Sequence, residues 1–333
     1  MNHLLRRVKR NLRDFQSLRE LTSDWTWQLS PAHVPPVEPT WRISSDELRG
    51  ACLHWPTTYQ WEKASGWVRN LLAGFQRLLP VRRVALPQTY ERIVLIQLAS
   101  PAGTHDVVLD YSDYLDEVHA EALDRSLVYF KMQYRREGYG DARIVPGGYV
   151  NYSKPLYRYL RRLRVIKDQA APTTDVYGRF GMQFASETRA RAVAMLGAQS
   201  TFGFTGSTRI VRHGQSLREV ARSRICIDLP GNGDFCFRLT DYLAVGACII
   251  GPPHRTAMHV PLVDREHLVH CKPDLSDLVS LCQHYLDHEG ERDRITSNAR
   301  EFFDRYLHRD QLAAYYLRTA LDRAGNSGGP GAG

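Results

Sequence analysis

The chain has 333 residues, enough for two domains and a sizeable core. Its 43% hydrophobic and 24% charged residues are ordinary globular values, and no stretch approaches the roughly 20 apolar residues of a membrane span. The net charge of +8, with a pI near 9.2, favours an anionic partner: a nucleotide sugar, an anionic membrane surface or nucleic acid.

Residues 1–27 place Leu4, Leu5, Val8, Leu12, Phe15 and Leu18 at helical spacing, with Arg6, Arg7, Lys9, Arg10 and Arg13 over much of the remainder. A basic amphipathic helix of this kind can lie on an anionic membrane surface, or pack on the body of the protein with its basic face in water. It lacks the long apolar run of a secretory signal. Residues 29–40 are proline-rich and predict an extended connector. Residues 58–79 predict a helix with Trp61, Ala64, Val68, Leu71, Leu72, Phe75 and Leu79 on a core-facing stripe. Residues 1–87 are therefore expected to be a basic helical extension.

From Arg92 the texture becomes α/β. Residues 93–98, 107–109 and 127–130 predict strands. The loops ending in His105 and running from Asp110 to Asp113 are of the kind found at the carboxyl edge of a sheet, where ligands bind. Asp113, Asp110 and His105 are candidate proton acceptors there, or merely capping and solvated residues. Lys131 and Arg135 suit contact with phosphate or an acidic acceptor, or belong to a solvated basic patch. A basic helix over residues 157–165 and a linker over 169–174 close this part. It is expected to be an acceptor-side domain over residues 88–172.

A second domain is expected over residues 173–323, opening with a strand that ends in Gly178-Arg179. A helix over 189–196, a strand over 201–205 and a helix over 216–222 lead to Ile225. This order suits a parallel sheet with right-handed crossovers. Residues 225–252 then form one strand–loop–helix–strand unit. Ile225, Cys226 and Ile227 suit a buried strand, and Pro230-Gly231-Asn232-Gly233 a tight turn. Asn232 or Asp234 is placed to cap a helix from about Phe235 to Val245, ended by Gly246. A strand through Ile250 follows.

A glycine-bearing loop in front of a helix start is suited to an anion, because backbone N–H groups and the positive end of the dipole meet there. Arg238 lies in the first turn, where a cation is unfavourable without something negative nearby. Asp241 follows at i+3, on the same face. A basic group for phosphate beside a carboxylate for sugar hydroxyls would suit a sugar nucleotide. An Arg238–Asp241 or Asp234–Arg238 surface ion pair is the plainer alternative.

Helical patterns over residues 275–288, 292–306 and 311–324 end the second domain, and residues 324–333 predict a flexible tail. His254, His259, His267 and His270 lack the spacing of metal ligands on a helix. The six cysteines, at 52, 226, 236, 248, 271 and 282, form no CxxC pair, so a reducing compartment without disulfides is expected. No DxD triplet and no Walker-type GxxxxGK[ST] sequence occurs.

The run from Arg238 through Asp241 and Gly246 to Ile250 resembles the donor-site signature of GT-B glycosyltransferases, and is most similar to their exostosin-like and CAP10-like (protein O-glucosyltransferase) groups. The likeness covers roughly residues 175–317, with Asp241 standing where Glu is usual. It implies two Rossmann-like domains, terminal helices that cross back onto the first, and a Gly178-Arg179 loop facing the donor diphosphate. It also implies a basic partner a few residues on; here Arg189 and Arg191 lie further along, in the following helix.

The resulting expectation is a metal-independent glycosyltransferase with no cofactor beyond the nucleotide-sugar substrate. Gly178, Gly231, Asn232 and Gly233 would admit the phosphates, Arg238 and Arg179 would stabilise the leaving group, and Asp241 would hold ribose hydroxyls. A glycan, lipid-linked or protein acceptor would bind near Asp113 and His105. A cytoplasmic location is expected, with peripheral contact at the inner face of a membrane through the basic amino-terminal segment. Nucleic acid is not expected in that case. The alternative is a non-catalytic basic α/β protein that binds an anionic membrane surface or nucleic acid.

Overall fold

The computed structural model describes residues 38–61, 64–101, 103–209 and 211–327. The basic segment over residues 1–27, most of the proline-rich connector and residues 328–333 lie outside the described residues.

The chain is α/β, as expected, with two main sheets. The first has six strands: β1 (Cys52–Pro56), β2 (Val81–Val84), β3 (Ile93–Ser100), β4 (Gly103–Asp110), β5 (Ser126–Lys131) and β7 (Ile144–Pro146), in the order β2-β1-β3-β4-β5-β7. It is mixed. β3 runs antiparallel to β1 and β4, and the remaining pairs are parallel. Helix α1 (Ala64–Leu78) buries Ala64, Val68, Leu71, Leu72 and Phe75, the stripe expected from its spacing. The short helix α2 (Ala120–Arg125) leads into β5.

Two boundaries are corrected. β1 and β2 pair inside this sheet, so residues 52–84 belong to the first domain and not to a helical extension. The apolar run in β1 is only five residues long and its partners are distant in sequence, so local pattern does not reveal it. The basic helix α3 (Lys154–Gln169) belongs by packing to the second half: Arg164 binds both carboxylate oxygens of Asp304 at 2.8 Å, and its Nε donates to the Ala244 carbonyl.

The second sheet is wholly parallel. Its strands are β8 (Thr174–Arg179), β9 (Phe204–Ser207), β10 (Ser223–Ile227), β11 (Cys248–Gly251) and β13 (Val269–His270), in the order β13-β11-β10-β8-β9. Helices α4 (Ser186–Ala198), α5 (His213–Ala221) and α6 (Phe237–Val245) connect them. α7 (Leu278–Asp287) and α8 (Glu289–Phe302) follow, and after a π turn at Phe303–Leu307 comes α9 (Arg309–Ser327).

α9 returns to the first sheet. Tyr316 stacks on Phe130 at 4.0 Å, and Tyr315 donates to the Pro146 carbonyl. Gly74 of α1 has no room for a Cβ, which would stand 2.7 Å from that of Ala313. A small two-stranded ribbon, β6 (Tyr134–Arg135) with β12 (Thr256–Ala257), ties the halves together. One continuous apolar core contains Leu53 and Phe130 from the first half and Leu243 and Ile249 from the second.

Candidate functional site: a two-arginine pocket between the sheets

In the second sheet β8 has β9 on one side and β10 on the other, so the connections leave in opposite directions between β8 and β10. The crevice beyond the carboxyl ends of strands at such a reversal is where open parallel sheets bind ligands. Two loops meet there: residues 180–185 after β8 and residues 228–236 after β10.

Arg238 sits in the first turn of α6, and its guanidinium turns back over the loop. Nη2 donates to the Leu229 carbonyl at 2.6 Å, and Nε lies 3.3 Å from Asp228 Oδ1. The guanidinium also lies 4.9 Å over the ring of Phe180. Burial works against its charge, but Asp228, Cys236 and Tyr242 outweigh that and raise its pKa further. Asp228 is 2% exposed and also lies 3.4 Å from His254 Nε2. Arg238 and Asp241 do not pair; the i+3 spacing is present and their side chains diverge.

The second cation is Arg189, from α4. Its guanidinium donates to the Pro230 and Gly181 carbonyls, at 3.0 and 2.5 Å, and so bridges the two loops. Burial, then the neighbouring charge of Arg238, lower its pKa from the usual guanidine value. A Cβ on Gly231 would stand 3.0 Å from Cys236 Sγ and 3.4 Å from Arg189 Nη2, so glycine is what fits between the loop and these side chains. Cys236 is the N-cap of α6 and makes no side-chain cap, contrary to the expectation of Asn232 or Asp234 in that role. The Asp234 carboxylate accepts instead from the backbone of Arg255 and Thr256, which moors the loop to the next one. Two guanidinium groups around one carboxylate, at a helix start without a side-chain cap, leave net positive charge in this crevice, which suits an anion.

Arg179 is placed differently from expectation. It makes a bidentate pair with Glu219 of α5, at 2.7 and 3.2 Å, and donates to Ser207 Oγ. Gly178 faces the Phe180 ring, which a Cβ would approach to 3.0 Å. Both therefore shape the β8 end, and Arg189 takes the position beside Arg238.

Asp241 is buried at the join of the halves. It accepts from Asn151 Nδ2 at 2.7 Å and lies 2.8 Å from His213 Nε2. His213 Nδ1 lies 3.1 Å from Ser153 Oγ. Ser–His–Asp contacts of this kind invite comparison with a nucleophile triad. Here Ser153 is 2% exposed and caps α3 by accepting from Leu156 N, so its hydroxyl has a structural task. Tyr152, His213 and Phe237 group their rings beside this carboxylate.

The first sheet presents the ends of β4, β5 and β7 at one edge. Asp113 follows β4, and its carbonyl lies against Gly233: a Cβ there would stand 3.0 Å from it and 2.4 Å from Gln133 Nε2. Burial raises the Asp113 carboxyl above the usual range, against the pull of Arg92. A cavity of about 470 Å³ opens nearby, lined by Arg92, Asp110, Ser112, Asp116, Glu117 and His119 among others. His105 is corrected. β3 and β4 form an antiparallel hairpin, and His105 pairs with Leu98 near its turn, five positions back along β4 from Asp110. Asp110 and Lys131 are corrected as well. They form a buried pair at 3.0 Å, joined by Tyr129 and Ser112, so their charges offset each other although Asp110 borders the cavity. Arg135 donates to the Gly138 carbonyl and stacks on Tyr139.

The residues missed from sequence are Asp228, His213, Asn151 and Gln133, whereas Arg189 is one of the two displaced basic partners named from the resemblance. Gln133 is buried, and its amide binds Phe235 O at 2.8 Å and Phe235 N at 3.2 Å across the join. A polar residue following a buried strand was the only local signal for it. The six cysteines are free, and five of them are buried. No helix among the described residues is long and apolar enough to cross a membrane.

Comparison with known proteins bears on the second half. The family described as "Glycosyl transferase-like" matches residues 179–318. No curated protein matches the chain. Among solved structures, a glycosyltransferase from Rickettsia africae ESF-5 is similar at 13% identity and a TM-score of 0.36, over 54% of this chain. The chain spans 57% of the length of that structure. The C-terminal domain of a glycosyl transferase group 1 family protein (LpcC) from Francisella tularensis is similar at 12% identity and a TM-score of 0.28, over 43% of this chain and 90% of that one. The residues matched by this family, 179–318, contain Arg189, Asp228, the 230–236 loop, Arg238 and Asp241.

Proposed function

We propose that the protein transfers a sugar from a nucleotide-sugar donor to an acceptor, with the donor on the second sheet and the acceptor on the first. The observation that carries this reading is the convergence of Arg238 and Arg189 on residues 228–236, at the start of α6 and within the residues that the family matches. Charge develops on the nucleoside diphosphate as it leaves. Preorganised guanidinium donors and a helix start stabilise that charge without reorganising during the step. The reaction then needs no divalent cation at the diphosphate.

In this reading Gly231, Asn232 and Gly233 admit the phosphates to the backbone. Asp241, held by Asn151 and His213, is the group for the ribose hydroxyls, with the rings of Tyr152 and Phe237 beside it. Asp113 takes the proton of the acceptor hydroxyl, and the cavity next to it receives the acceptor. The GT-B arrangement and the exostosin-like or CAP10-like grouping belong to the same proposal. So do peripheral contact with an anionic membrane through residues 1–27 and a cytoplasmic location at its inner face.

The test is thermal unfolding of the purified chain with nucleoside diphosphates and sugar nucleotides in the presence of a chelator. One nucleotide should raise the midpoint, and the shift should vanish in Arg238→Ala. Absence of a shift with every nucleotide, together with salt-sensitive binding to anionic vesicles or nucleic acid, would establish the non-catalytic binding protein instead.

A further inference from the structure

The corner between α7 and α8 gathers two histidines and a carboxylate that play no part in the pocket described above. His284 lies on α7, His288 joins the two helices, and Glu291 is in the first turn of α8. The sequence spacing is His-x3-His-x2-Glu, which puts all three on one side of a helical path. The structure keeps them together although the helix changes at His288. One ligand atom from each of the three lies within 4.8 Å of the others.

The local geometry is that of a site open to a metal. His284 Nε2 and Glu291 Oε2 are 3.4 Å apart. Two ligands of a tetrahedral zinc, at bond lengths of about 2.0–2.1 Å, stand about 3.3 Å from each other, so this pair is already at ligand spacing. The two imidazoles stack at 4.0 Å with planes 20° apart. His288 Nδ1 lies 2.8 Å from the His284 carbonyl. With Nδ1 protonated and donating to that oxygen, Nε2 carries the lone pair that a metal takes, and the ring is oriented by its partner in the way that outer-shell carbonyls orient ligating histidines. Both His288 and Glu291 are exposed, so an ion has access.

We propose that His284, His288 and Glu291 form a surface site for a divalent transition metal, with Zn²⁺ the best fit for two imidazoles, one carboxylate and a water. The site fastens the end of α7 to the start of α8. It is separate from the transfer reaction and does not depend on the proposed donor chemistry.

The experiment is calorimetric titration of the full chain with ZnCl₂, with native mass spectrometry to count bound ions. A single equivalent bound with Kd at or below about 100 µM, weakened about tenfold or more in each of His288→Ala and Glu291→Gln, is the expected result. A Kd above about 100 µM, or an affinity unchanged in these variants, overturns the proposal. Because both side chains are exposed, the variants are expected to fold. Far-ultraviolet circular dichroism checks this, and His284→Asn is the replacement should either fail.

Discussion

His213 and Asp241 form a largely buried imidazole–carboxylate contact of 2.8 Å between residues 28 positions apart in sequence. Burial alone would lower the histidine's pKa; the Asp241 charge and hydrogen bond reverse this and raise it. A group whose folded-state pKa exceeds its unfolded value contributes stability in full below the unfolded value, about 6.5 for histidine, and loses it as pH rises through the folded value. The unfolding midpoint of Asp241→Asn should therefore fall below that of the unaltered protein by more at pH 6 than at pH 9. A difference that stays constant over this range would show that Asp241 does not hold His213 charged.

Arg238 and Arg189 should both matter to turnover. Arg238→Ala is expected to lower kcat on the order of 100-fold, by comparison with the loss of one preorganised donor. It also leaves Asp228 without its nearest cation, so unfolding must be measured alongside. Arg189→Met removes the second guanidinium while keeping apolar bulk, and should lower kcat by a similar factor. A change under about threefold in a folded variant would take that residue out of the site.

Arg179 should behave in the opposite way. Its bidentate pair with Glu219 is a fifth exposed on each side. A double-mutant cycle between Arg179→Ala and Glu219→Ala should give a coupling of about 1 kcal/mol in stability. Donor affinity should be little altered. A large loss of nucleotide binding in Arg179→Ala, with stability unchanged, would return this residue to the diphosphate.

Asp113 is predicted to be the proton acceptor. Asp113→Asn should cost about 100-fold or more in kcat without weakening the nucleotide-induced thermal shift. Because burial raises this carboxyl, the rise of kcat/KM with pH should be centred above the ordinary carboxylate range. Retention of that limb in Asp113→Asn would assign the base elsewhere.

Gln133 should prove structural. Its amide meets both the N–H and the carbonyl of Phe235 and accepts from Thr256 Oγ1. Gln133→Ala would leave a buried N–H unpaired, at a cost of about 1–3 kcal/mol. Gly233→Ala should be damaging for the complementary reason, since its Cβ would collide with Gln133 and the Asp113 backbone. Chemical denaturation of both variants measures this; wild-type stability in either would mean that the loop can shift.

Local pattern carried the second half of the chain well. The strand through Ile227, a helix ending at Gly246 with φ of 84°, and the strand through Ile250 follow from apolar runs and a glycine stop. Periodicity likewise picked out the buried face of α1. What local pattern could not supply was partnership. Asn151 reaches Asp241 from 90 positions away and Gln133 reaches Phe235 from 102. Arg189 lay in a helix of ordinary composition until the fold brought it to the Pro230 carbonyl. The i+3 spacing of Arg238 and Asp241 was real, but each side chain found a distant partner in preference to the near one. His284 and His288 stand at i+4, a spacing that sequence alone shows to suit a ligand pair.

The return of α9 onto α1 and β5 has a consequence for how the protein is made. Tyr315 and Tyr316, more than 180 positions after Phe130, supply rings that cover it and hydroxyls that bind the Pro146 and Gly147 carbonyls. Domains commonly mature in order as they leave the ribosome. Here the first sheet lacks part of its covering layer until α9 has been synthesised. Its assembly must wait for α9, and a chain stalled before Arg309 would keep an apolar face of that sheet open to chaperones.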